Sequence, residues 1–182
     1  MREGSLIVVR KSYVGEEVID NVINYMYSSL FVVPDETMCS NLDCDTDVDS
    51  IINQFYDLQD NYNMTKKKRV FHFIISARES NSMFDIVDKG ASIVQYFCET
   101  NGLQACIVPH GGSKDNYMNY HYHVVINPVM INGVMWQGTD VDLAKLMIEY
   151  LENIMRMSWK LRYSNRNSGK CSNKMYSRKL IT

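Results

Sequence analysis

Residues 120–127 read Tyr-His-Tyr-His-Val-Val-Ile-Asn, and this alternation constrains the fold more than any other stretch of the chain. Side chains alternate across a β-strand, so His121 and His123 share one face while Tyr122, Val124 and Ile126 take the other. Two imidazoles at i and i+2 can converge on one ion, and a neutral imidazole nitrogen donates to a metal without adding charge. His110 follows the apolar run 103–109, at the end from which the chain leads into His121. If these two strands are neighbours, His110 supplies a third ligand. Three neutral ligands leave a divalent cation its full charge and open positions, able to polarise a phosphate. The fourth histidine, His72, lies mid-strand between Phe71 and Phe73 and reads as structural.

The rest of the chain frames that strand. Residues 5–10 (SLIVVR) and 69–77 (RVFHFIISA) are short apolar runs of strand character. A helix is expected over 16–30, where Val18, Val22, Ile23, Met26 and Leu30 recur at helical spacing. Residues 34–49 are acidic and polar and read as an excursion, followed by a second helix with Ile51, Ile52, Phe55 and Leu58 on its apolar side. A third helix spans 82–100 and stops at Asn101-Gly102. Residues 129–136 are expected to add a fifth strand through a turn at Asn132-Gly133. Thr139 is a suitable N-cap for a final helix, with Asp140 and Asp142 in its first turn and Leu143, Leu146, Met147, Tyr150, Leu151 and Ile154 along its apolar face. This order predicts an α+β sandwich, an antiparallel sheet of about five strands covered by helices mainly on one face.

Charge is distributed unevenly. All 21 acidic residues lie at or before Glu152, whereas eight basic residues and no acidic ones follow it. Arg162, Arg166 and Lys170 belong to this basic end, which is interleaved with Trp159, Tyr163 and Tyr176. Such a segment suits a polyanion with stackable bases, and equally a solvated terminus. A second cluster, Lys66-Lys67-Lys68-Arg69, precedes a strand and is also placed to meet phosphates. Length favours one domain, taken as 1–163, with a basic tail over 164–182. No run approaches the roughly 18 apolar residues of a transmembrane helix. The opening residues resemble no secretory signal, so a cytoplasmic location is expected. The five cysteines form no CxxC pair and are expected to be free thiols; Cys39 and Cys44 lack the second pair that a zinc site needs.

Taken together, the HFIISA strand, the IVPH run ending at His110, the HYHVVINPV strand and the INGVMW segment resemble the relaxases, mobilisation nucleases of the HUH endonuclease superfamily. The resemblance covers roughly residues 5–160 and includes an early helix carrying Val22-Ile23-Asn24-Tyr25-Met26. It implies an HUH-type fold and site-specific nicking of single-stranded DNA at an origin of transfer. It implies that His110, His121 and His123 bind a divalent cation, usually magnesium or manganese, with zinc as an alternative. It also implies that Tyr25 attacks the scissile phosphate to leave a 5′-phosphotyrosine link, in plasmid or mobile-element transfer assisted by accessory DNA-binding proteins. Relaxases often carry an acidic residue shortly after the first histidine, and here only Asp115 stands near that place.

Twelve tyrosines leave the nucleophile open. Tyr27 lies about 200° around the helix from Tyr25, so only one of the two can face the metal. Tyr13 lies in the loop after the first strand, and Tyr150 occupies the helix on which replication initiators of the superfamily carry their tyrosine. A rolling-circle initiator or transposase is therefore the competing enzyme reading. A binding module that has lost catalysis, or a zinc hydrolase lacking an evident carboxylate base, is the alternative from another class.

Overall fold

The computed structural model describes residues 3–28, 32, 36–64, 66–77, 83–111 and 120–164, and among them six strands and four helices are formed. In chain order these are β1 (Glu3–Val8), α1 (Val18–Ser28), β2 (Met38–Ser40), α2 (Val48–Gln59), β3 (Phe71–Ala77), α3 (Met83–Thr100), β4 (Ala105–His110), β5 (His121–Ile126), α4 (Asp140–Met155) and β6 (Ser158–Tyr163). The strands form one sheet in the order β2-β4-β5-β3-β1-β6. All neighbours are antiparallel except β1 and β6, which run parallel. The architecture is the expected α+β one, with six strands in place of about five.

The histidine strand β5 lies between β4 and β3 and is buried on both faces from Tyr122 to Ile126. Helices accordingly cover both faces rather than mainly one. Leu6, Val8, Phe73, Ile75, Ile107, Tyr122, Val124 and Ile126 meet α3 and α4, through Val87, Ala91, Val94, Leu143 and Met147. Ile7, Val9, Ile74, Cys106, Val108 and Val125 meet α1 and α2, through Ile19, Val22, Ile23, Met26, Ile51, Ile52 and Phe55. β1, β3 and β5 are buried at successive positions, the pattern of strands covered on both faces.

Four local expectations change. Within the expected excursion 34–49, Met38–Ser40 form β2 at the sheet edge beside β4. Residues 129–136 do not form a strand but a turn closed by the Val129–Met135 bridge, with Gly133 at φ 74°. Pro128 lacks an N–H for the ladder, and the buried Asn127 side chain accepts from the Val129 amide at 3.0 Å, so the chain turns away from β5. Residues 158–163 form β6, because Trp159 and Leu161 are buried while the intervening Lys160 and Arg162 pair with Glu3 on β1. Cys39 and Cys44 are not free thiols; they close a disulfide with 5.9 Å between their Cα atoms. Thr139 caps α4 as expected, within a capping box completed by Asp142. Among the described residues no helix is long and apolar enough to cross a membrane.

The sheet edge carrying β6 is locked by one large side chain. Trp159 lies beside Gly4 in the parallel β1–β6 pair, and a Cβ on Gly4 would stand 2.6 Å from three atoms of its ring. The far side of the same ring would meet a Cβ on Gly90 of α3 at 2.6 Å. Gly4→Ala should therefore overpack this corner and cost about 1–3 kcal/mol. Urea unfolding should show a lower midpoint at unchanged slope; a midpoint equal to that of the parent protein would contradict the close packing.

Candidate metal centre

The β4–β5 register brings the histidines together. His110 stands directly opposite His121, and Val108 opposite His123, so all three imidazoles share the α1–α2 face of the sheet. Their ligand-bearing nitrogens lie within 4.8 Å of one another. The Nε2 atoms of His121 and His123 are 3.2 Å apart, and the rings of His110 and His123 are 4.3 Å apart, centre to centre. His110 and His123 are buried, and His121 is partly exposed.

The outer nitrogens of two rings are already committed. Nε2–H of His110 donates to the main-chain oxygen of Met26 at 2.8 Å, which leaves Nδ1 as the nitrogen with a lone pair to offer a cation. Nδ1 of His123 is paired with Nε2 of His72 at 2.8 Å, and Nδ1 of His72 with the Tyr13 hydroxyl at 2.5 Å. Burial holds His123 well below the usual imidazole range, helped by the neighbouring His72, His121 and His110. Burial likewise lowers His110, against the opposing pull of the Met26 carbonyl. Burial, followed by the charge of Lys11, takes His72 down to about 3. Neutral imidazoles with converging lone pairs are the chemical form a divalent cation requires, so the donor set fits such an ion.

Tyr25 projects from the last turns of α1 beside these rings. Its ring is 5.7 Å from that of His123, edge-on, and 6.2 Å from that of His110. It is 49 % exposed, and its neighbour Met26 supplies the carbonyl that His110 holds. Tyr27 instead turns inward to the Cys106 thiol at 3.4 Å, and burial raises its phenol above the usual range. Tyr150 packs on Phe97 between α3 and α4, across the sheet from the histidines. Tyr13 is buried under the centre rather than exposed beside it. Asp115 lies outside the described residues.

A cleft of about 940 Å³ opens on the β1 side and is connected to the histidines through Tyr13 and His72. Arg10, Lys11, Ser12, Tyr13, Lys68, Asp140 and Tyr163 line much of it. Arg10 lies 4.0 Å above the Tyr163 ring, and Lys68 pairs with Asp140. Tyr13 belongs to both places, lining the cleft and bonding His72 beneath the histidines. The basic cluster 66–69 divides: Lys68 faces the cleft, Lys67 reaches Tyr62 and Met135, Lys66 is exposed, and Arg69 sits against Gln59 and Tyr56. Arg162 is tied to Glu3 at 3.3 Å, while Arg166 and Lys170 lie outside the described residues. Sequence reasoning missed Arg10 and Lys11, whose signal was their place directly after a strand. It also missed the linking role of His72, whose signal was its phase opposite to Phe71, Phe73 and Ile75.

The family model described as "Relaxase: MobA/VirD2-like, nuclease domain" matches residues 34–156, a span that contains all three histidines. No curated protein and no solved structure matches the chain. Replacing His121 and His123 together by alanine should abolish manganese binding in calorimetry while circular dichroism remains native. Unchanged manganese affinity in that double variant would show that the histidines are not the ligands.

Proposed function

The chain belongs to the MobA/VirD2-like relaxase family through its nuclease domain, and on that premise we propose that it nicks single-stranded DNA at an origin of transfer by covalent attack of Tyr25. The observation that carries this reading is the exposed Tyr25 ring lying 5.7 Å from that of His123, at the edge of three converging histidines. Tyr27 and Tyr150 lack that neighbourhood, one being turned to Cys106 and the other to Phe97.

A divalent cation held by His110, His121 and His123 would grip a non-bridging phosphate oxygen and offset the charge that builds in the transition state. Magnesium prefers oxygen donors, so an all-imidazole set favours manganese or zinc over it. Tyr25 Oη forms a bond to phosphorus, and the bond from phosphorus to the 3′-oxygen breaks. The phenol gives up its proton and the departing oxygen gains one, leaving a 3′-hydroxyl and a 5′-phosphotyrosine. The phosphodiester energy stays in the protein–DNA link, so the strand of a plasmid or mobile element can be rejoined without ATP. An unperturbed phenol titrates near pH ~10, so Tyr25 depends on nearby positive charge to become reactive at neutral pH.

The strand beside the scissile phosphate lies along the β1-side cleft, with Arg10, Lys11 and Lys68 against phosphates and Tyr163 offering a stacking surface. Incubation with manganese and single-stranded DNA should give a covalent adduct, and peptide mass spectrometry should locate it on Tyr25. Tyr25→Phe should bind DNA and form no adduct; an adduct on Tyr150 would favour the replication-initiator reading instead. Replacing Arg10 and Lys11 by alanine should weaken single-strand binding and flatten its log–log salt dependence by up to about 0.7 per lost contact. An unaltered slope would move the strand out of this cleft.

A further inference from the structure

The buried chain from His123 through His72 to Tyr13 has no part in the covalent step, yet it runs directly from a ligand into the body of the sheet. His72 is 3 % exposed, His123 4 % and Tyr13 9 %. His72 projects from β3 on the same face as Ile74, the register partner of His123, so two neighbouring strands bring the rings to 5.1 Å between centres. Buried polar groups normally need partners, and a carbonyl would have satisfied His123 as Met26 satisfies His110. Here the partner is another imidazole, itself bonded to a phenol.

We propose that His72 and Tyr13 are a positioning pair that fixes the tautomer and ring orientation of His123 for cation binding. His123 turns Nε2 toward His121, 3.2 Å away, so Nε2 is the nitrogen that must carry the ligand lone pair. Its proton then sits on Nδ1 and is donated to Nε2 of His72. With that nitrogen accepting, His72 must carry its own proton on Nδ1 and donate it to Tyr13 Oη. Each ring is thereby left with one tautomer compatible with a bound cation. Tyr13 itself is held by the turn after β1, where its backbone takes φ 46° and its carbonyl accepts from the Arg69 amide at 2.8 Å. The pair thus transmits the geometry of β1 and β3 to a ligand on β5. A partner of this kind on a metal-ligating histidine typically contributes about 10–100-fold to metal affinity.

This inference rests on the metal-centre reading but not on the identity of the nucleophile, and its test is read without DNA. Manganese binding to the full chain is measured by calorimetry for the parent protein and for His72→Leu, His72→Gln and Tyr13→Phe, with thermal melting of each. His72→Leu should lose about 10–100-fold in affinity. His72→Gln presents an amide oxygen near the position of Nε2 and should recover much of that loss, which a purely space-filling role would not allow. Tyr13→Phe removes one hydroxyl and should weaken binding several-fold while the fold persists. It carries the test if the His72 variants fail to fold. Unchanged affinity in a folded His72→Leu or Tyr13→Phe protein would overturn the pair, as would a His72→Gln affinity no better than that of His72→Leu. A parent protein that binds no manganese, zinc or magnesium would overturn the metal centre and this pair together.

Discussion

The antiparallel register of β4 and β5 is the constraint on which the site depends. Pairing His110 with His121 puts one imidazole opposite another and a third two residues along the same face. A slip of one residue would send β5's side chains to the opposite face and scatter the three imidazoles. The register is held because both strands are buried in the middle of the sheet, with Ala105, Ile107, Tyr122, Val124 and Ile126 committed to one core and Cys106, Val108 and Val125 to the other. Convergence of the three imidazoles and hydrophobic burial therefore ask for the same alignment.

The helix carrying Tyr25 is fastened to this alignment rather than merely packed near it. Ile19, Val22, Ile23 and Met26 bury one stripe of α1 against the sheet, and the Met26 carbonyl takes the His110 Nε2–H. The exposed Tyr25 and the inward-facing Tyr27 follow from their different directions around that anchored helix. On the other side, His72 and Tyr13 tie His123 to β3 and to the turn after β1. The cleft with Arg10, Lys11 and Lys68 begins at that same turn, so the proposed strand path and the proposed metal ligands share one structural support.

Much of this was legible in the sequence because it is periodic. The HxH alternation assigned His121 and His123 to one face, and helical spacing outlined α1, α3 and α4. The strands β2 and β6 were harder for physical reasons. Three residues, Met38–Ser40, are too few to establish alternation. In β6, Lys160 and Arg162 belong to a basic stretch that suits a polyanion or a solvated end alike, and only Glu3 on the neighbouring parallel strand supplies their partner. Residues 129–136 have strand composition, but Pro128 and the Asn127 side chain redirect the backbone before a ladder can form. His72 could be placed on a strand but not on a face of the molecule, because which face carries the histidines depends on pairings between distant segments. The Cys39–Cys44 bridge belongs to the same category, since the spacing of two cysteines does not specify the loop geometry that joins them.

The central claim is that three histidines from one strand pair form a single cation site beside Tyr25. Anomalous diffraction from manganese-soaked crystals tests it most directly. The account predicts one strong peak per chain, within bonding distance of His110 Nδ1, His121 Nε2 and His123 Nε2, with the Tyr25 side chain at its open side. A peak ligated elsewhere, or three histidines that remain without an ion while manganese occupies carboxylates on the surface, would contradict it.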